Sequence, residues 1–149
     1  MKSYFKTIAD EMGLTLVYTR DQAANIILDG IALADYPVVV VNPLLVGTAD
    51  AQNRFIKGFE VSILEPCPLD FDESATDAKQ EAILKTLNKF LAKCKEYQTV
   101  TFHYNGRDGQ ITLFYDKFDA NLMGAFTNVR FLINPNICED GEDDTILEP

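Results

Sequence analysis

The sequence predicts an α+β domain, a mainly antiparallel sheet covered by an N-terminal helix and by one long helix over about residues 74–96. Three observations lead there. Apolar residues recur at helical spacing in two places, residues 5–12 and 82–94. Several other stretches alternate with period two or run through successive β-branched residues, as strands do. These signals follow the order helix, strand, uncertain segment, two strands, long helix, hairpin and last strand, which suits a sheet with its helices on top of it.

Phe5, Ile8, Ala9 and Met12 form one stripe of a short helix that Gly13 can close. LTLVYT, residues 14–19, then reads as a strand. Thr19 is placed to cap a short helix through Asp21–Ala24, and NIILDGIAL beyond it is compatible with helix or strand. In YPVVVV, Tyr36–Val41, the unbroken β-branched run implies a central strand covered on both faces, with Pro37 at its beginning. Between it and the strand KGFEVSIL, Lys57–Leu64, lies Asn42–Ile56. That is long for a connection without structure, so a projecting hairpin or binding loop is expected there, against the plainer alternative of a surface loop.

The strongest single signal is DFDESATDAKQEAILKTLNKFLAKCKEY. Ser74 and Asp77 have the spacing of a capping box with Asp in place of Glu, acids crowd the first turn, and Lys93 and Lys95 suit the dipole at the last. Ala82 or Ile83, then Leu84, Leu87, Phe90, Leu91 and Cys94, make a face that packs on a sheet. QTVTFHY and QITLFYD flank NGRDG, whose two glycine dipeptides predict an antiparallel hairpin. The last strand, from Leu122, places Met123, Ala125, Thr127, Val129, Phe131 and Ile133 on one face and Leu122, Gly124, Phe126, Asn128, Arg130 and Leu132 on the other. Both faces carry apolar groups, so this strand is sandwiched in its own domain or shared with a neighbouring subunit.

One domain over residues 1–138 and an acidic, disordered tail over 139–149 are expected, since the tail has too little hydrophobicity to fold. The net charge of −10 is uneven: Glu139, Asp140, Glu142, Asp143, Asp144 and Glu148 carry six negatives, leaving −4 for residues 1–138. Such acidity repels phosphate backbones, which excludes ordinary nucleic-acid binding. No run approaches the roughly 18 apolar residues of a membrane span, and no secretory leader precedes the first helix, so a cytoplasmic chain is expected. Cys67, Cys94 and Cys138 are odd in number and widely spaced, as reduced thiols would be.

Reactive constellations are sparse. His103 is the only histidine; with Cys94 it would form a nucleophile and base only if the end of the long helix met the hairpin strand. The plainer reading is an exposed histidine and a buried thiol. Cys67, between two prolines, reads as structural. An EF-hand-like run from Asn136 fails because its twelfth position is Leu147, where a bidentate Glu is required, although loose cation binding by the tail's carboxylates stays open. Nucleotide, hydrolase and zinc signatures are missing. No catalytic residue, metal or cofactor is assigned. Arg130, the one charge in its strand, is expected to pair with an acid of a neighbouring strand or subunit, with anion binding as the sharper alternative.

Residues NIILDGIALADYPVVVVNPLLVGT, FEVSILEPCPLDFDESATDAKQEAILKTLNKFL and YDKFDANLMGAFTNVRFLINPNIC resemble small proteins of phages and prophages of gut Bacteroidetes, found among head and tail genes. The likeness covers about residues 1–138 and includes a D-x-N-x-x-G element at Asp119, Asn121 and Gly124 and a P-x-x-x-x-x-P-x-x-x-G run through Pro37, Pro43 and Gly47. That group is similar in layout to tail-terminator and neck proteins, whose subunits close into rings. The resemblance implies a non-enzymatic structural protein of tail-terminator or head-tail joining type, whose partners are other copies of itself in a ring and phage tail or neck proteins. It would be cytoplasmic during assembly and then part of the virion, with acidity facing a pore to keep DNA from sticking. Interface patches are expected at Leu44, Leu45, Val46, Arg54 and Phe55 and at Phe126, Asn128 and Arg130. The competing classes are a small cytosolic enzyme or ligand-binding domain using His103 and Cys94, and a non-viral adaptor.

Overall fold

The computed structural model describes residues 1–20, 24, 27–49, 54–67, 73–99, 102–115 and 121–133. Helix α1 (Lys2–Glu11) buries Phe5, Ile8 and Ala9. It ends in a Schellman turn: Gly13 stands at φ +68°, its N–H donates to Asp10 O at 3.1 Å, and Leu14 N–H donates to Ala9 O at 2.8 Å. Buried Leu14 supplies the hydrophobic contact usual after such a turn. Strand β1 (Thr15–Tyr18) follows directly. Ala24 and residues 27–29 are helical, which resolves those positions of the ambiguous segment toward helix. A 3₁₀ turn (Leu33–Asp35) then leads through Pro37 into β2 (Val38–Ala49).

Strands β2, β3 (Phe55–Pro66), β4 (Phe102–Tyr115) and β5 (Leu122–Ile133) join β1 in one sheet of order β1-β2-β3-β5-β4. Only β1 and β2 run parallel. The long helix, α2 (Glu73–Glu96), brings Lys93 and Lys95 to its last turn. This is the expected α+β architecture, with corrections in three places.

The span Asn42–Ile56 is mostly strand, because β2 continues to Ala49 and β3 begins at Phe55, so the expected hairpin takes the place of a long loop. Four steps along β2, from Pro43 to Gly47, match two along β3, from Phe59 to Lys57. The resulting bulge holds Leu44, Leu45 and Val46 and interrupts the alternation that would have marked the strand.

The hairpin predicted at NGRDG does not form. Phe102–Tyr115 is one strand that pairs with β5 from Ile133 back to Met123. Gly106 (φ +96°) and Gly109 (φ +86°) use their freedom for two bulges, between Tyr104 and Arg107 and between Asp108 and Thr112. A glycine at positive φ serves a bulge as well as a turn, and the twelve unbroken residues of β5 require a continuous neighbour. The chain reverses after Tyr115 instead.

Ser74 lies inside the first turn of α2, which starts one residue earlier, so it is not the capping residue; position 72 lies outside the described residues. The tail over 139–149, Cys138 and the EF-hand-like run lie outside them too.

One face of the sheet carries the main core. Phe59, Val61 and Ile63 of β3 and Met123, Ala125, Val129 and Phe131 of β5 are buried there beneath α1 and the Ile83, Leu87, Phe90 and Cys94 stripe of α2. A second, smaller core on the other face joins Val17, Ala24, Leu28, Val38, Val40, Leu64 and Leu122. Val38–Val41 is therefore buried on both sides, as its composition predicts. Edge-on contacts lock the helices together: Tyr4 OH donates to the Cys94 carbonyl, and Lys93 Nζ lies 2.7 Å from Glu11 Oε1. Tyr97 OH also donates to Glu11.

Hydrogen bonds from Lys93 and then Tyr97 hold the Glu11 carboxyl below its ordinary range. A depressed carboxylate stabilises the fold above its unfolded pKa and loses that contribution as pH falls through the folded value. The Glu11 carboxyl carbon, followed by NMR, is expected to titrate below the usual glutamate range, and Lys93→Met to return it upward. An unchanged midpoint in Lys93→Met would show that the bridge does not hold in solution.

Candidate functional site

Alternation along β5 separates two environments. Met123, Ala125, Thr127, Val129, Phe131 and Ile133 are all buried on the helix-covered face. On the opposite face burial fades along the strand, from buried Leu122 and Gly124 through half-buried Phe126 and Asn128 to exposed Arg130. The helical segment that includes Ala24 and Leu28 covers the first part of this face, and among the described residues nothing covers the far part.

That far part has a definite floor. Phe126 pairs in register with Ser62 and Thr112, Asn128 with Glu60 and Asp108, and Arg130 with Gly58. Phe126 packs against Phe114 at 5.9 Å between ring centroids. A Cβ at Gly58 would stand 2.9 Å from Leu44 Cδ1, so Leu44 lies over that glycine. On the β4 side, Arg130 falls opposite the bulge between Tyr104 and Arg107. Its guanidinium thus has a glycine on one flank and a bulge on the other, and among the described residues it makes no ion pair. The expected acid on a neighbouring strand is not paired with it among the described residues. Asn128 Oδ1 is shielded from solvent and accepts no hydrogen bond among the described residues. An acceptor left in that state costs about 1–3 kcal/mol.

The eight expected interface residues divide. Leu44, Phe126, Asn128 and Arg130 share the open face. Phe55, 42% exposed, pairs with Ile133 on the other face, beyond the cover of the helices. Arg54 is half-buried just before β3, and Leu45 and Val46 lie in the β2 bulge. Because β5 is bordered by β3 and β4, its edges are occupied, and only its face can meet a neighbour. Gly58, which makes room for Leu44, was missed; its signal is a glycine inside a strand pattern, which marks close approach.

The histidine and thiol do not meet. His103 is exposed and paired with Leu132 on the open side, whereas Cys94 is fully buried beneath the opposite face. Burial pushes the Cys94 thiol up to about 12, beyond the range where a nucleophilic thiolate forms at neutral pH. In the folded protein, Cys94 is expected to stay unmodified by a thiol reagent at pH 8 and to react at once in denaturant, read by mass mapping of its peptide. Rapid modification of native protein would contradict this packing. Cys67 is half-buried, and its N–H donates to Asn121 O at 3.0 Å, joining the end of β3 to the start of β5.

Among the described residues no group of three His, Cys, Asp or Glu is placed to hold a metal ion. None of the described helices is long and apolar enough to cross a membrane. No protein-family model matches the chain, and a search of curated proteins returns no significant relative.

Proposed function

We propose that this chain is a non-enzymatic assembly subunit, a phage or prophage structural protein of tail-terminator or head-tail joining type, working through contacts with its own copies and with tail or neck proteins. The observation that carries the assembly reading is the open part of the sheet, where Leu44 and Phe126 give a half-apolar surface beside exposed Arg130, which makes no ion pair among the described residues. A neighbour on this face would bury the apolar atoms and offer Arg130 a carboxylate. The phage assignment rests on the resemblance of residues 1–138. A ring subunit joins through two different patches, and the open face is proposed as one of them.

The test is molar mass by light scattering from about 1 to 100 μM, a span over which weak self-association becomes visible, together with electron microscopy for rings. The full chain is expected to self-associate with concentration. The variant Arg130→Glu, at an exposed position, is expected to remain a monomer with its unfolding temperature little changed. A chain that stays monomeric throughout and gains no partner from tail or neck proteins would overturn the assembly reading.

A further inference from the structure

The open part of the sheet centres on a cation in a chain whose net charge is −10. Exposed Arg130 pairs in register with Gly58, and half-buried Leu132 and Ile56 form the next row of the same face. Leu44 lies over Gly58. Such a surface is complementary to carboxylates that flank an exposed apolar group. The far end of the molecule carries that combination. Leu33, at 78% the most exposed large apolar side chain among the described residues, sits in the 3₁₀ turn between exposed Ala32 and Ala34. Ile27, 42% exposed, adds to it, so this is more than a scattered surface leucine. Asp29 and Asp35 bracket the run; both are exposed, and neither makes an ion pair among the described residues. Burial and then the nearby Asp29 carboxylate push the Tyr36 hydroxyl up, which puts Asp29 beside the side chain that follows Asp35. Ile31 and Tyr36 pack on the second core, and Thr15 Oγ1 donates to Asp35 O at 2.8 Å, so the turn is held in place.

We infer that copies join through these two unlike patches: the Asp29–Asp35 segment of one copy docks on the open face of another, Leu33 against Leu44 and Ile56, and the aspartates on Arg130. The inference rests on the assembly reading and names the second patch that reading needs. Within one copy the patches cannot meet. The turn leads into β2 at Val38, which pairs with Leu64, and Leu64 pairs with Gly124. Arg130 lies six residues farther along β5, about 20 Å at the rise of a strand. The contact is therefore made in trans. It can run head to tail around a ring or be made twice in a two-fold pair, and the mass of the associated species tells which.

Light scattering from about 1 to 100 μM on charge-reversed full chains tests this. Asp29→Arg with Asp35→Arg in one chain, and Arg130→Glu in another, are each expected to weaken self-association by about tenfold or more, because like charges then face each other. Mixed in equal amounts, the two variants should associate about as well as the unchanged protein, since every open face then finds a patch of opposite sign. Leu33→Ser should also weaken association by about tenfold. All four positions are exposed, so unfolding temperatures should stay close to that of the unchanged protein. Self-association that survives Leu33→Ser and the two reversed aspartates overturns this contact and leaves the assembly reading standing. A mixture of the two charge-reversed chains that stays monomeric overturns the contact as well. An unchanged protein that is monomeric at every concentration also overturns it, and the assembly reading then stands or falls on binding to tail or neck proteins.

Discussion

Replacing Phe131 by alanine is expected to cost about 3–5 kcal/mol, the range for truncating a fully buried aromatic side chain. The ring is 0% exposed and stacks on Phe102 with centroids 4.1 Å apart and planes 3° from parallel. It meets Phe5 at 5.7 Å, Phe59 at 5.6 Å, Tyr4 at 5.7 Å and Tyr104 at 5.5 Å, all at steep angles. Such edge-to-face contacts add to the energy of burial. Those neighbours come from α1, β3 and β4, so no single element can shift to fill the void without dragging the others. At about 3 °C per kcal/mol for a chain of this size, the melting temperature should fall by about 10 °C. Urea unfolding gives the free energy directly, and a loss below about 1 kcal/mol would mean that the aromatic cluster does not organise the core.

Gly124→Ala is expected to destabilise by about 3 kcal/mol or more, at the upper end of overpacking. A Cβ there would lie 2.3 Å from the Ile63 carbonyl oxygen, 2.7 Å from Phe114 Cζ and 2.9 Å from Leu64 Cδ2. The oxygen belongs to the backbone of the adjoining strand β3, so relief requires β3 and β5 to part in the middle of the sheet. Gly58→Ala is the internal comparison. Its Cβ would meet only the end of the flexible Leu44 side chain, at 2.9 Å, and a loss under about 1 kcal/mol is expected. Urea denaturation of both variants checks the contrast. Equal losses would show that the sheet yields at Gly124 as easily as a side chain does at Gly58.

The long helix was legible because its apolar spacing and end charges agree: Ile83, Leu87, Phe90 and Cys94 recur at helical intervals, and all are buried. The two faces of β5 were legible for the same reason, since alternation survives wherever a strand has no bulge. Bulges account for the one error of topology and for the strand residues of β2 that went unread. Leu44, Leu45 and Val46 break the period in β2, and Asn105-Gly106 and Asp108-Gly109 imitate a hairpin turn within β4. Local dipeptides report which backbone angles are available and say nothing of which strand lies alongside. The site was half legible. Phe126, Asn128 and Arg130 follow from alternation in β5 and the opposite placing of Phe55 from alternation in β3, whereas the assignment of Leu44 to the open side depends on a bulge that no short-range pattern encodes.

The same irregularities bear on how copies can join. β3 and β5 match residue for residue, while the strands bordering them on either side carry surplus residues. Borders of uneven length and pitch are poor templates for stacking one chain's backbone on the next, the route by which flat sheets grow into fibrils. At the β4 rim, whose two bulges face away from any regular neighbour, such stacking is discouraged.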